Sequence, residues 1–434
     1  MTETTNDLDG RHVWHPFTQA KTSLAPTPIA KASGITLTGE DGTEYLDMIS
    51  SWWVNLHGHA HPKIAEAVAE QARTLEQVIF ADFTHAPAAT LAKRITDRLP
   101  EDLNRVFFSD DGSTAVEVAL KLAHQYWRNQ GQIRPRFIAF DGGYHGDTVG
   151  AMSAGASSGF FDAFKPMLFR VDSVPYPETW NGDEEIREKE TQALEALETL
   201  LEARRLETAG VIVEPLVQGA GGMRMIRPAF LKAVAERVKE AGLLLIFDEV
   251  MTGFGRTGGL FATLTANTTP DIICLSKGLT GGFMAMSLTV CRDGIYDAFL
   301  GDDLDRAFLH GHSFTANPLG CAAGLASLEL LLDPACEQAR QMIERVHRTR
   351  LADLATMPKA EKARVRGTIG AIDFRTSDHG YGSTLGPKLK AFFRDRGLLI
   401  RPLGSVVYLM PPYCVAEEQL NRAWNAVGEA LDSF

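Results

Sequence analysis

Two residues that suit one kind of chemistry lie near the ends of two mainly apolar runs of the chain. The run LLLIFDEV (Leu243 to Val250) contains Asp248, and the shorter run DIICLSKG (Asp271 to Gly278) contains Lys277. Such runs are typical of buried parallel strands, and open α/β sheets bind ligands at the carboxyl ends of their strands. There a lysine can hold pyridoxal phosphate as a Schiff base, and a carboxylate can keep the pyridine nitrogen protonated. Taken singly, Lys277 could equally be a surface lysine, and Asp248 could equally be a capping aspartate.

Two further segments combine a strand, a glycine-containing turn and a helix. In residues 106–127, Gly112 and Ser113 precede a strongly periodic helix. Free N–H groups and the positive end of the helix dipole make a phosphate cradle there, although an ordinary N-cap has the same pattern. In residues 137–153, Tyr144 stands among glycines. Its ring can stack on a flat cofactor or simply cover the sheet edge, and the sequence favours neither.

Aromatic residues and one arginine are candidates for substrate contacts. Residues 50–62, SSWWVNLHGHAHP, predict a loop that presents Trp52 or Trp53 to an apolar ligand. Their three histidines lack carboxylate or cysteine partners at ligand spacing, so a metal site is not favoured. Phe17 lies in an aromatic-rich segment and is more often a packing anchor than a ligand contact. Arg401 lies among apolar residues and needs an anionic partner if buried, either an internal carboxylate or a substrate carboxylate.

Composition excludes several classes of partner. The chain has 434 residues, with 43 Lys and Arg against 55 Asp and Glu, a net charge of −12. This acidity argues against nucleic acid and anionic membranes as partners. Five scattered cysteines are typical of reduced thiols in the cytoplasm. No signal peptide and no membrane-spanning run is apparent, so we expect a cytoplasmic protein.

The order of elements predicts an α/β fold. Strands and helices alternate through residues 106–277, which is typical of a parallel sheet. Residues 34–48 predict a β-hairpin around Asp41-Gly42, and residues 397–413 read as a strand of a C-terminal lobe. The chain is expected to divide into an N-terminal segment that joins the small domain (1–50), a large domain (51–325) and a C-terminal small domain (326–434).

Taken in order, the motifs resemble a known family. They are the Gly-Ser turn, GGYHG, EP, DEVMTGFGRTG, SKG, HGHSFTANP and an arginine near the C-terminus. Together they resemble the class III aminotransferases of the fold-type I pyridoxal-phosphate family, from about residue 14 to residue 413. The resemblance implies a large domain with a mostly parallel sheet flanked by helices, and a smaller α+β domain built from both termini.

Narrower motifs resemble one branch of this family. They are WHPFTQ, SSWWVNLHGH, QYWRNQG, VQGAGGMR and IRPLGSVVYLMPPY. The branch converts 8-amino-7-oxononanoate to 7,8-diaminononanoate in biotin synthesis by a ping-pong reaction through pyridoxal phosphate. A nucleotide hydrolase, which the run LLLIFDE also resembles, would need GxxxxGK[ST], and the chain lacks this motif.

The resemblance assigns cofactor roles to matching positions. Lys277 would carry the cofactor and move the proton, and Asp248 would pair with the pyridine nitrogen. Gly112 and Ser113 would bind the phosphate, and Tyr144 would stack on the ring. These assignments make Lys277, Asp248 and Tyr144 the expected catalytic residues.

One loop implies an assembly. Gly311, His312 and Ser313 match a loop that, in the family, reaches the phosphate of the neighbouring subunit's cofactor. His312 and Ser313 would therefore bind cofactor and Gly311 would border the substrate. The implied assembly is a homodimer with shared active sites that acts on small molecules.

The resemblance also bears on the substrates. Trp52, with Trp53 nearby, would line a slot for the long-chain oxo acid, and Arg401 would bind its carboxylate. The expected amino donor is S-adenosylmethionine. Members that use it commonly have tyrosine at the position of Phe17 and Gly-Pro-Thr at 311–313, and the residues found here are more similar to those of members that use lysine. Lysine therefore stays an alternative donor, as does a general ω-aminotransferase that acts on diamines or ω-amino acids with pyruvate.

Overall fold

The structure, a computed structural model, describes residues 3–378, 380 and 382–434. Its strands are β1 Ile29–Ser33, β2 Thr36–Gly39, β3 Glu44–Asp47, β4 Leu103–Ser109, β5 Arg136–Phe140, β6 Val171–Val174, β7 Thr208–Val213, β8 Val217–Gln218, β9 Arg224–Met225, β10 Leu244–Asp248, β11 Ile272–Leu275, β12 Ser287–Arg292, β13 Ala360–Arg366, β14 Ile369–Phe374, β15 Leu398–Leu399 and β16 Val406–Leu409. Its helices are α1 Thr5–His12, α2 Ser50–Trp53, α3 Pro62–Thr74, α4 Ala86–Thr96, α5 Gly112–Asn129, α6 Val149–Ala154, α7 Ile186–Arg204, α8 Pro228–Glu240, α9 Ala262–Ala266, α10 Asp293–Asp297, α11 Pro318–Leu331, α12 Pro334–Leu354, α13 Leu385–Arg394 and α14 Glu417–Ser433.

A seven-stranded sheet in the order β4-β12-β11-β10-β7-β5-β6 forms the centre of the protein. Strand β12 is antiparallel to its neighbours β11 and β4, whereas β11, β10, β7, β5 and β6 pair in parallel. Strands β7 and β10 are buried along their whole length, as is usual where helices cover both faces of a sheet. The predicted α/β fold with a mostly parallel sheet is confirmed.

Each face of the central sheet packs into its own core. Successive side chains of a strand point to opposite faces. In β10, Leu245 and Phe247 join the core that contains α8, whereas Leu244 and Ile246 join the core that contains α5. The predicted apolar face of α5 is confirmed as buried and consists of Val116, Leu120, Ala123 and Trp127.

Both ends of the chain contribute to a small sheet in the order β1-β2-β3-β15. The predicted hairpin is present, because β2 pairs antiparallel with β3 across Gly42, which has φ of 83°. The single strand expected within residues 397–413 divides into two. Strand β15 pairs in parallel with β3, and β16 joins β14 in another sheet. Pro402 cannot donate a ladder hydrogen bond, which accounts for the break. The boundaries 1–50, 51–325 and 326–434 stay predictions.

Two of the three histidines of the segment that precedes α3 make hydrogen bonds to protein groups. Nε2 of His59 lies 2.9 Å from Oδ2 of Asp47, and Nε2 of His57 lies 3.2 Å from Oγ of Ser327. The described residues contain no group of three or more His, Cys, Asp or Glu arranged to hold a metal ion. Among the residues that the structure describes, no single helix is long and apolar enough to cross a bilayer. Helices α11 and α12 meet that test only together, and they are bent by 71°.

The buried His57 generates a prediction about stability at low pH. Burial, followed by the charge of His61, lowers the pKa of His57 from 6.5 to about 3. Between these two values the unfolded chain binds the proton and the folded chain does not, so stability falls as the pH falls. For His57 this contribution to the free energy of unfolding declines by up to about 1.4 kcal/mol per pH unit below the unfolded pKa.

We therefore expect His57→Gln to lose less stability than the wild type between pH 7 and pH 4.5, as measured by urea unfolding. His12→Gln, at an exposed position on α1, is the matched control and should retain the wild-type pH dependence. Equal pH slopes for His57→Gln and the wild type would show that His57 does not contribute to the acid sensitivity.

Candidate active site

A cavity of about 570 Å³ opens at the carboxyl ends of β4, β5, β7, β10 and β11. This edge is where open α/β sheets bind their ligands. Most of the residues singled out in the sequence line it, namely Phe17, Trp52, Trp53, Gly112, Ser113, Tyr144, Asp248, Lys277 and Arg401. The structure therefore brings together groups that are up to 384 positions apart in the chain.

Lys277 lies directly beyond β11 with φ of 45°, a rare backbone conformation for a residue with a side chain. Part of the residue faces the cavity, but its ammonium group is enclosed by protein atoms. This burial lowers the pKa of Lys277, against the opposing charges of Asp248 and Glu214. Nζ of Lys277 lies 4.9 Å from the ring centre of Trp53. A lysine in such surroundings releases its proton more readily than a surface lysine.

Asp248, the last residue of β10, is paired with His145. Its Oδ2 atom lies 2.7 Å from Nδ1 of His145, and its Oδ1 atom accepts a hydrogen bond from the backbone N–H of Val250. Both side chains are buried. Burial by itself lowers the pKa of His145, but the hydrogen bond to Asp248 and the charges of Asp248 and Glu214 raise it more, so the pKa is raised overall.

Glu214 adds a second carboxylate to the cavity wall. It follows β7, and its oxygens accept hydrogen bonds of 2.9 Å from the backbone N–H groups of Tyr144 and Gly219. Burial raises the pKa of Glu214 to about 7. Neither Glu214 nor His145 is among the residues predicted for the site, although the EP and GGYHG motifs contain them. The signal available for Glu214 was its position directly after a predicted strand, and for His145 its position between two glycines in the turn that follows one.

The start of α5 forms a cradle that side chains would fill. A Cβ atom on Gly112 would lie 2.6 Å from Cγ1 of Val250, and one on Gly146 would lie 2.2 Å from Oγ of Ser113. Gly146 also has φ of 127°. Oγ of Ser113 accepts a hydrogen bond of 3.1 Å from the backbone N–H of Asp147. Unpaired N–H groups at a helix start bind anions such as phosphate.

Aromatic side chains surround the remainder of the cavity. The ring of Tyr144 packs against Phe161 at 6.0 Å and 23°. Its hydroxyl donates a hydrogen bond of 2.9 Å to Asp147, and burial raises its pKa. The ring of Phe17 lies edge-on to Trp52 at 5.6 Å and to Phe160 at 6.4 Å.

Arg401 borders this aromatic wall. Its guanidinium carbon lies 4.8 Å from the ring centre of Trp52, and the residue is half-buried. Trp53 lies deeper in the protein, and its indole N–H donates a hydrogen bond of 2.8 Å to the hydroxyl of Tyr408. An arginine at the edge of an apolar slot can bind a carboxylate with two parallel hydrogen bonds.

The loop Gly311-His312-Ser313 does not line the cavity of its own chain. Nδ1 of His312 lies 3.3 Å from Oδ2 of Asp110, and the carbonyl of Ser313 accepts a hydrogen bond of 2.8 Å from Nε2 of Gln77. The predicted contacts of this loop with cofactor and substrate therefore require a second copy of the chain, and they stay predictions.

The comparison with known proteins decides the family. The sequence profile described as aminotransferase class III matches residues 18–431. A protein of Synechococcus elongatus named adenosylmethionine-8-amino-7-oxononanoate aminotransferase is 55% identical over 423 residues, which cover 98% of this chain and 99% of the relative. The chain belongs to the class III aminotransferases. It is therefore a transferase that depends on pyridoxal phosphate.

Solved structures of class III aminotransferases have the same fold. The crystal structure of adenosylmethionine-8-amino-7-oxononanoate aminotransferase from Methanocaldococcus jannaschii has a TM-score of 0.91 and 34% identity, with coverage of 99% of this chain and 98% of that one. An (S)-enantioselective ω-transaminase from Thermomicrobium roseum has a TM-score of 0.92 and 27% identity, with coverage of 99% and 97%.

The cavity of this class III aminotransferase fits its cofactor. The cradle at Gly112 and Gly146 has no room for side chains, and it lies in the same cavity as an enclosed lysine and a buried carboxylate. These features match the anionic phosphate, the reactive aldehyde and the pyridine nitrogen of pyridoxal phosphate.

The cradle generates a prediction about cofactor affinity. We expect Gly146→Ala to weaken the binding of pyridoxal phosphate by about tenfold or more, because the new Cβ would displace Ser113 and the backbone conformation favours glycine. The measurement is a titration of the apoenzyme with cofactor, followed by absorption. Gly294→Ala is the matched control, since a Cβ there meets no atom within 4 Å. Equal affinities for both variants would contradict the assignment of the cradle.

Proposed function

We propose that this enzyme transfers an amino group from S-adenosylmethionine to 8-amino-7-oxononanoate and forms 7,8-diaminononanoate for biotin synthesis. The observation that carries the proposal is the full-length match, at 55% identity, to a relative that is named for this reaction. The cavity supports it, because a basic side chain, Arg401, lies beside an aromatic slot. We also propose that the reaction takes place in the cytoplasm.

We propose that four groups hold the cofactor. Lys277 would bind it covalently and Asp248 would face the pyridine nitrogen, while the cradle at Gly112 and Ser113 would take the phosphate. Tyr144 would pack against the ring. When bound, pyridoxal phosphate supplies a ring that withdraws electrons from the carbon bearing the amino group.

Within this arrangement Lys277 would move the proton. The lowered pKa of Lys277 favours the neutral amine, which can take a proton from the substrate carbon and return it. The hydrogen bond from His145 holds the carboxylate of Asp248 in a single orientation. With substrate bound, the aromatic walls would keep water from the reacting atoms, which would strengthen these electrostatic interactions.

The oxo acid combines a long apolar chain with a terminal carboxylate. The rings of Phe17, Trp52 and Phe160 form an edge-to-face cluster at the wall of the cavity, which suits the methylene chain. Arg401 is placed to bind the carboxylate at the end of that chain. A short substrate such as pyruvate would leave this slot unfilled, and this distinguishes the proposal from a general ω-aminotransferase.

The donor half of the reaction tests the proposal directly. We expect S-adenosylmethionine, added to the purified enzyme, to remove the visible absorption of the cofactor held on Lys277. Addition of 8-amino-7-oxononanoate should then restore it in a single turnover. Loss of the absorption with lysine only, followed by the same recovery, would show that lysine is the donor and S-adenosylmethionine is not. Recovery with pyruvate but not with 8-amino-7-oxononanoate would contradict the proposed function.

Phe17 offers a test of the donor pocket. Phe17→Tyr adds one hydroxyl to the cavity wall, which is expected to strengthen the binding of S-adenosylmethionine if that compound is the donor. Phe164→Tyr, at an exposed position outside the cavity lining, is the matched control.

We propose that the active form is a homodimer with shared active sites. Large apolar side chains are exposed on both segments that meet near the 311–313 loop, namely Ile79, Phe83, Leu309 and Phe314. The hydrogen bond from Gln77 to the carbonyl of Ser313 joins these segments. An apolar surface of this kind is typical of a protein interface, and the loop beside it would complete the cavity of the second copy.

The dimer generates its own prediction. Phe314→Glu places a charge on a side chain that is 58% exposed in the single chain but buried in the proposed interface, so we expect monomers in analytical ultracentrifugation. Leu206→Glu, at a site that is 72% exposed, should leave the dimer intact. A Phe314→Glu protein that sediments as the wild type does would place the interface elsewhere.

A further inference from the structure

The segment Ser50–Trp53, given above as the short helix α2 and here called the tryptophan turn, has non-helical backbone angles inside it, at Ser51 and Trp52. Ser50, Ser51 and Trp53 have φ of 53°, 61° and 70°, and none of them is glycine. Residues with side chains adopt such conformations only where the surrounding structure holds them there. The contacts of this turn therefore decide whether its two indoles reach the cavity.

The carboxylate of Asp47 holds one side of the tryptophan turn. Asp47 ends β3, and its side chain is fully buried. Oδ1 accepts a hydrogen bond of 3.0 Å from the backbone N–H of Ile49, and Oδ2 accepts one of 2.6 Å from that of Ser51. A carboxylate that receives two backbone N–H groups fixes the path of the chain between them.

His59 completes this arrangement. Its side chain is 13% exposed, and Nε2 lies 2.9 Å from Oδ2 of Asp47. Nδ1 lies 3.0 Å from the amide nitrogen of Asn55. Because that amide nitrogen is a donor, Nδ1 is the acceptor and the ring proton is on Nε2, where it points at Asp47. His59 thus adds a donor to a carboxylate that also accepts from two backbone N–H groups and, at 3.4 Å, from the hydroxyl of Ser51, and it orients the carboxylate toward the turn.

Other side chains hydrogen-bond the two ends of the turn. The hydroxyl of Ser50 donates a hydrogen bond of 2.8 Å to the carbonyl of Met410. At the other end, the indole of Trp53 bonds Tyr408, and the guanidinium of Arg256 donates to the carbonyl of Trp53 at 3.3 Å. The middle of the turn, from which the side chain of Trp52 extends, is held by Asp47.

The indole of Trp52 is the part of the turn that meets the substrate side of the cavity. It packs edge-on against Phe17 at 5.6 Å and lies 4.8 Å from the guanidinium carbon of Arg401. Neither Asp47 nor His59 lines the cavity. Any effect of this pair on the reaction must therefore pass through the position of the turn.

We propose that Asp47 and His59 are positioning residues that set the fit of the long-chain oxo acid by fixing the tryptophan turn. The inference rests on the proposed function, because it assigns the slot beside Trp52 to that substrate. Lys277 and the phosphate cradle follow strands of the central sheet, and Trp53, the turn residue beside Nζ of Lys277, is held by Tyr408 and Arg256. Binding of the oxo acid is therefore expected to suffer while cofactor binding is retained.

The test separates KM from kcat in the holoenzyme. In Asp47→Asn the amide can no longer accept from all of these donors, so we expect KM for 8-amino-7-oxononanoate to rise about tenfold or more, with kcat changed by less than about threefold. His59→Leu should act in the same direction. His59→Gln keeps an N–H donor and should recover much of the loss.

Asp183→Asn is the matched control. Asp183 has a side chain that is only 2% exposed and pairs with Lys189 at 2.6 Å, and its Oδ1 accepts a hydrogen bond from the backbone N–H of Glu185. It lies outside the cavity lining. We expect this variant to lose stability without a change in KM. If Asp47→Asn behaves as Asp183→Asn does, or if kcat, KM and cofactor absorption all decline together, the positioning role is wrong.

A measurement without substrate keeps this inference separate from the proposed function. Amide hydrogen exchange of residues 48–55 is expected to accelerate in Asp47→Asn and His59→Leu, and not in Asp183→Asn. Unchanged exchange in that segment would overturn the positioning role even if the wild type uses the oxo acid. Failure of the wild-type enzyme to use 8-amino-7-oxononanoate would instead overturn the proposed function.

Discussion

The structure depends on the mutual compensation of charges at the carboxyl edge of the central sheet. Asp248, His145 and Glu214 are removed from water, and the ammonium group of Lys277 is enclosed beside them. Isolated charges in such a place are strongly unfavourable. The hydrogen bond between Asp248 and His145 and the backbone donors to Glu214 make the arrangement tolerable, and the fully buried parallel strands hold these groups in place. The burial that makes this compensation necessary also lowers the pKa of Lys277, and so connects the stability of the fold with its chemistry.

The two sides of the cavity are built in different ways. The cofactor side consists of groups at the ends of regular strands. There the alternation of side chains along a strand and the pairing of neighbouring strands fix the direction of each side chain. The substrate side consists of Phe17, Trp52 and Arg401, which come from the N-terminal segment, from a turn with positive φ and from the break between β15 and β16. A regular scaffold suits chemistry that a whole family shares, whereas irregular segments tolerate replacement. Substrate preference is thus expected to vary on that side.

The cofactor side could be predicted from the sequence to a large extent, because its signals are local. The apolar run before Asp248, the periodic helix after Gly112 and the hairpin at Gly42 are each encoded within about 20 residues. The partners of these groups are not local. The contact between His145 and Asp248 joins residues 103 positions apart. Neither segment has a sequence pattern that indicates the other as its partner. The antiparallel direction of β12 and the division of residues 397–413 likewise follow from long-range pairing. The backbone of the tryptophan turn could not be predicted, since nothing in SSWW indicates positive φ.

The parallel pairing of β15 with β3 has a consequence for how the chain is made. It brings Leu398 beside Leu46, two residues about 350 positions apart. A ribosome adds about 5–20 residues per second, so roughly 20–70 s pass between the synthesis of these two strands. During that interval the edge of β3 has unpaired N–H and C=O groups, which could pair with another nascent chain. The strand is only four residues long and carries Glu44 and Asp47 at its ends. Its shortness and charge protect the unfinished protein until its own C-terminal segment arrives.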